Sequence, residues 1–283
     1  METPTRGNLI CIAGGGCPQL ENAIGCIKAI KQIHRVNIDE VWGVSAGAVV
    51  GSMFMSWDQD IERFERLIKE TPITDWFFIS PWQAIKSLFG KSNYIADDTG
   101  LRDALVKYVT PESYDKVKVS VSEMSEKGKF KTALTMDGHP SHVLASMSFQ
   151  HVFPPVKING KFYGDGGVND NIPLPRYVDF PKYEHIYIIL APASPLLPSV
   201  PKWMLLDSIM DLIDNTMNRE LAQVEQLHLE DLRNVTVLKP EKWVDSAMFL
   251  GWSKNNEQIQ ASYEMTVKQL TAGTSTPFPV LGG

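Results

Sequence analysis

The chain has 283 residues, is 43% hydrophobic and 21% charged, and carries a formal net charge of −6. That composition belongs to a globular protein with enough apolar material for one large α/β core. The acidic balance argues against a broad nucleic-acid surface or a general attraction to anionic membranes, so any membrane contact should be local and apolar.

Taken in chain order, the residues up to Gly16 are not expected to be a secretory leader: the apolar run is short, lacks a basic flank and ends in glycines. Leu9–Ala13 is predicted as a short buried strand, closed by Gly14, Gly15 and Gly16. Leu20–Ile33 then carries Ala23, Ile24, Ile27 and Ile30 at helical spacing. The pattern repeats, with a strand over Ile38–Val44, a sharp turn at Gly43–Gly47 and a small-residue apolar helix over Ala46–Trp57. Two strand–turn–helix units in succession imply parallel strands with crossover helices.

Asp58–Thr110 reads as largely helical and unusually aromatic, with Trp76, Phe77, Phe78, Trp82, Phe89 and Tyr94. These aromatics either meet substrate at the access route or fill the core beneath a cap, and the second reading is preferred because exposed apolar patches are uncommon. Strands are expected at Val117–Val121 and Lys129–Thr135, a helix over 141–150, and a hairpin turning at Gly160. Beyond it come a buried strand at Ile186–Leu190, a four-proline loop over Ala191–Pro201, and a long helical stretch over Trp203–Leu232. A last strand at Val235–Leu238 and a last helix over Asn256–Leu270 precede a Gly/Pro/Thr-rich tail, 271–283, expected to fray. No linker divides the chain, so a single domain over 1–283 is expected: a core over about 7–190, an aromatic helical cap over about 58–115, and C-terminal helices over 203–270. No stretch is long and apolar enough to span a membrane.

Three segments carry chemistry. Gly43-Val44-Ser45-Ala46-Gly47 is a G-x-S-x-G between a strand and a helix, the context of a nucleophile elbow. The serine sits on a tight turn whose neighbours must be small, and the helix behind it directs its N-terminus at developing negative charge. Gly14-Gly15-Gly16 lies at a similar turn, where backbone N–H groups can converge on an oxyanion. A dinucleotide loop would need glycine where Gln19 stands, and the Gly-Lys-Ser/Thr of a Walker loop is absent. Asp165 is held between glycines in Tyr163-Gly164-Asp165-Gly166-Gly167, which taken alone is an ordinary turn.

Together with Ala145-Ser146-Met147-Ser148-Phe149-Gln150-His151-Val152-Phe153-Pro154-Pro155-Val156, these blocks resemble the patatin-like phospholipase family, in its order, over about residues 7–190. The resemblance implies an α/β fold with a central parallel-rich sheet flanked by helices in three layers. It implies a Ser–Asp dyad in which Ser45 is the nucleophile and Asp165 the base, with Gly14, Gly15 and Gly16 lining the oxyanion hole. The expected reaction is phospholipase A-type hydrolysis of glycerophospholipid esters through an acyl-serine intermediate. No cofactor or metal is implied; the expected partner is membrane or micellar phospholipid, met peripherally, and the expected location is cytoplasmic or membrane-peripheral. The sequence departs from the family after the glycines, where Cys17-Pro18-Gln19 stands in place of a cation followed by glycine. That departure keeps open a soluble short-chain ester or thioester substrate; a catalytically silent lipid-binding protein is the other alternative.

The remaining reactive residues read as structural. Cys11, Cys17 and Cys26 are odd in number and close together, which argues against a disulfide framework; Cys17 reads as a loop filler rather than a reactive thiol. His185 and His228 follow Asp165 but lie in a strand and a helical stretch, and His151 is placed near the cleft.

Overall fold

The computed structural model describes residues 6–79, 94–125, 129–150, 152–191, 234–240, 243–244 and 251–272. The stretch 203–232 with His228, most of the 191–201 loop, Trp82, Phe89, His151 and the tail beyond 272 lie outside the described residues.

Ten described strands are β1 (Arg6–Ile12), β2 (Ile38–Val44), β3 (Phe78–Ile79), β4 (Ala96–Asp97), β5 (Val117–Met124), β6 (Phe130–Asp137), β7 (Val156–Ile158), β8 (Lys161–Asp165), β9 (Tyr183–Ile189) and β10 (Val235–Leu238). The α-helices described are α1 (Gly16–His34), α2 (Ala46–Ser56), α3 (Ile61–Glu70), α4 (Thr99–Tyr108), α5 (Pro140–Met147) and α6 (Glu257–Thr271). The main sheet runs β10-β9-β1-β2-β5-β8-β7, with β6 also on β5, while β3 and β4 form a separate pair. From β10 to β5 all pairings are parallel; β6 and β8 run antiparallel to β5, and β7 antiparallel to β8. The expected parallel-rich α/β sheet flanked by helices is therefore the observed architecture.

β1 is buried on both faces, as a central parallel strand should be. Its Ile10 and Ile12 join a core with Leu20, Ile24 and Ile27 of α1 and Val49, Val50 and Phe54 of α2. Its alternate residues Leu9 and Cys11 face a second core closed by Ile172 and Phe180. α1 lies against α6 closely enough that a Cβ on Gly25 would stand 2.3 Å from the Ile259 carbonyl oxygen. All three cysteines are free and buried.

The aromatic segment divides. Trp76 and Phe77 are buried, with Trp76 stacked on Phe64 and edge-on to Trp252, and Phe77 against Phe153, whereas Phe78 is 55% exposed. Among the described residues of 58–110, α3 and α4 are helical and β3 and β4 form a short antiparallel pair; residues 80–93 of the expected helical segment lie outside the described residues.

One topological feature positions everything that follows. On one flank of β5, β2 pairs up to Val44↔Ser120, and from Val121↔Asp165 onward the same flank is taken by antiparallel β8. The two strands thus approach end to end along one lane, β2 rising to its terminus and β8 descending to its own.

Candidate active site

Ser45 follows the last residue of β2 and Asp165 is the last residue of β8, so the partner switch on β5 brings the two termini together. Ser45 is the turn between β2 and α2, with φ 53° and ψ −124°. A non-glycine residue in that region is strained by about 1–3 kcal/mol and persists only where its surroundings enforce it. The enforcement is steric. A Cβ on Gly43 would lie 2.5 Å from the Gly47 carbonyl oxygen, and one on Gly47 would lie 2.4 Å from that of Ile12. Small residues on both sides let the chain reverse while α2 packs against the end of β1.

Both side chains are withdrawn from solvent: Ser45 is 9% exposed and Asp165 3%. Burial raises the Asp165 carboxyl to about 7, opposed by hydrogen bonds from the Gly167 N–H and the Ser45 hydroxyl. The Gly167 N–H donates to Oδ1 at 2.7 Å, and the Asp165 N–H donates to the Ser148 carbonyl at 3.0 Å. The Ser45 N–H donates to the Ser146 hydroxyl oxygen at 2.8 Å, and Met147 Sδ lies 3.7 Å from Ser45 Oγ. A serine hydroxyl in contact with a buried carboxylate poised near neutrality is an arrangement for proton transfer.

The glycine turn backs directly onto this pair. A Cβ on Gly14 would meet the Ser45 Cβ at 3.2 Å and Asn171 Oδ1 at 2.6 Å. The Gly14 N–H is directed at the Asn171 carbonyl, 3.3 Å away. Gly15 and Gly16, with φ of 155° and 68°, wind the chain into α1. That helix starts at Gly16, four residues before the expected Leu20. Cys17, Pro18 and Gln19 form its first turn, where the missing N–H of Pro18 costs nothing. Cys17 is 3% exposed and burial pushes its thiol well up, so it is the filler that the sequence suggested.

Gln19, Glu21 and Asn22 were invisible as site-building residues, because polar side chains near a helix start read as a solvated face. All three are fully buried. Gln19 and Asn22 donate to the Ile189 and Leu190 carbonyls at the end of β9. The Glu21 carboxylate accepts from the Ser253 N–H and hydroxyl and from the Asn256 amide.

No described histidine joins the cluster. His185 lies near the start of β9, at the opposite edge of the sheet, bonded to Thr236 and pushed down to about 4 by burial. Among the described residues no group of three His, Cys, Asp or Glu could hold a metal ion, and no helix is long and apolar enough to cross a membrane. A cavity of about 500 Å³ opens at the other end of α5, lined by residues including Arg102, Tyr114, His139 and Val156; it shares no residue with the Ser45–Asp165 cluster.

A family model described as patatin-like phospholipase matches residues 10–176. Among solved structures, VipD from Legionella pneumophila is similar at 14% identity and a TM-score of 0.47, over 95% of this chain and 67% of that one. The heterodimeric ExoU–SpcU complex from the type III secretion system of Pseudomonas aeruginosa is similar at 12% identity and a TM-score of 0.40, over 96% of this chain and 52% of that one. The chain thus spans about two thirds of the first and half of the second. No curated protein matches it significantly.

Proposed function

Because this chain belongs to the patatin-like phospholipase family, and so to the lipid hydrolases, we propose that it cleaves carboxylic esters of glycerophospholipids with Ser45 as nucleophile and Asp165 as general base. The observation that carries this reading is the end-to-end approach of β2 and β8 along one flank of β5, which seats a strained serine against a buried carboxylate.

The Asp165 carboxylate accepts the Ser45 hydroxyl proton as Oγ attacks the ester carbonyl. The Gly14 N–H is committed to Asn171, so the developing oxyanion falls to the N–H groups of Gly15 and Gly16, with the N-terminal end of α1 behind them. Asp165 then returns its proton to the departing alcohol, leaving an acyl-serine. In the second half, the carboxylate deprotonates a water that attacks this ester, and the serine regains a proton as free fatty acid leaves. The strained elbow sets the Ser45 side chain at the carboxyl end of β2.

Fatty-acid release from phospholipid vesicles tests the reading. Ser45→Ala and Asp165→Ala should each lower turnover by about 10³-fold or more; turnover within tenfold of wild type in either folded variant would remove that residue from the dyad.

A second reading, hydrolysis of soluble short-chain esters or thioesters, is favoured by one feature. The first turn of α1 presents Cys17, Pro18 and Gln19, all buried and none of them a cation. A p-nitrophenyl butyrate rate far above that on micellar phospholipid would select this alternative.

A further inference from the structure

Three consecutive residues at the C-terminal end of α5 touch both members of the Ser45–Asp165 pair. Ser146 holds the Ser45 N–H, Met147 places its sulfur beside Ser45 Oγ, and the Ser148 carbonyl holds the Asp165 N–H. We propose that Ser146 is a positioning residue that fixes the approach of nucleophile to base, an inference that rests on the dyad reading above.

Regular pairing of β2 with β5 ends at Val44↔Ser120, where β2 turns away and β8 takes its place. Beyond that point the Ser45 N–H and the Ser120 carbonyl have no direct strand partner in each other. The Ser146 hydroxyl stands between them, accepting from the Ser45 N–H at 2.8 Å and donating to the Ser120 carbonyl at 2.6 Å. It relays a ladder hydrogen bond across the gap that admits the end of β8. The proton given to Ser120 turns the hydroxyl lone pairs toward Ser45, so the hydroxyl serves two elements in one fixed orientation.

The site offers Ser146 no other task. It is fully buried, and Met147 Sδ, rather than the Ser146 hydroxyl, is the α5 atom beside Ser45 Oγ. Ser45 sits at φ 53°, a conformation that needs outside support, and its amide is one handle by which support is applied. Ser148 ends the same helix and grips the amide of Asp165, so α5 references both reacting groups to one rigid turn. Loss of the relay frees the elbow, and the Ser45 hydroxyl with it, to relax away from the carboxylate while leaving the carboxylate and the glycine turn in place.

The test compares Ser146→Ala, Ser146→Cys and Ser56→Ala with wild type on p-nitrophenyl butyrate, together with the rate of fluorophosphonate labelling. Ser56 is the control: its hydroxyl also bridges two backbone groups, part-buried, donating to the Ser52 carbonyl and accepting from the Thr110 N–H, at the far end of α2. Displacing a reacting group by about an ångström costs up to about a hundredfold in rate, and a smaller shift about tenfold. Ser146→Ala should therefore lower kcat and labelling by a factor in that range with KM within about twofold. Ser146→Cys, whose thiol makes longer and weaker hydrogen bonds, should recover part of the loss, and Ser56→Ala should lose melting temperature without losing kcat. A folded Ser146→Ala protein with wild-type kcat and labelling rate would overturn the proposal. If that variant does not fold, a folded Ser146→Cys protein with wild-type kcat would do the same. An equal fall of kcat in Ser56→Ala would also overturn it, by reducing the effect to general destabilisation. A wild-type protein that neither turns over ester nor labels would instead overturn the dyad reading itself.

Discussion

Asp165 carries the largest functional consequence of burial in this molecule. Its carboxyl is raised to about 7 because desolvation outweighs the hydrogen bonds from Gly167 and Ser45. As the base it must be ionised, so kcat/KM should climb about tenfold per pH unit below 7 and level off above it. A pH–rate profile already flat at pH 5 would contradict that assignment. The same shift has an opposite sign in stability. The folded protein holds the Asp165 proton more tightly than the unfolded chain, whose carboxyl has its ordinary value of 3.8. Stability from this group is therefore full below pH 4, is lost as pH rises toward 7, and stays lost above. Asp165→Asn removes the ionisation while keeping an acceptor for the Gly167 N–H. It should be inactive yet melt above wild type at pH 8, with a difference that shrinks at pH 4 in thermal scans.

At the scale of elements, the site depends on how closely α1 and α2 approach the strands that feed them. The Gly47 position has no room for a methyl group because α2 rests on the end of β1, 2.4 Å from a virtual Cβ to the Ile12 carbonyl oxygen. Gly47→Ala should destabilise by about 1–3 kcal/mol in urea unfolding, the usual cost of overpacking, and should slow fluorophosphonate labelling because the elbow moves with α2. α1 is tied differently, through polar groups. Burial raises the Glu21 carboxyl, opposed by its hydrogen bonds to Asn256 and Ser253. Glu21→Ala strands those donors and should cost about 2–3 kcal/mol. Amide exchange should quicken in 251–256 and at the start of α6; unchanged exchange there would show that the apolar contacts of α6 hold the segment without the carboxylate.

Across the whole molecule, the parallel core was legible because its strands are local segments that run apolar or alternate: β2 and β10 fall where Ile38–Val44 and Val235–Leu238 predict them. The elbow and the glycine turn were legible for the same reason, since backbone constraints at Gly43, Gly47 and Gly14–Gly16 are written in adjacent residues. The exchange of β2 for β8 on β5 was not, because strand pairing between residues 44, 120 and 165 leaves no local pattern. The role of Ser146 follows from that exchange and shared its invisibility. The aromatic segment shows the limit of composition: Trp76, Phe77 and Phe78 are neighbours of one chemical type, and only packing against Phe64, Trp252 and Phe153 separates the two core residues from the exposed one. The most direct test of the central claim is mass-spectrometric mapping of a fluorophosphonate adduct in wild type and Asp165→Asn. The expected result is a single adduct on Ser45 in wild type and its loss in Asp165→Asn. An adduct on another serine, or equal labelling of Ser45 without the carboxylate, would contradict the account.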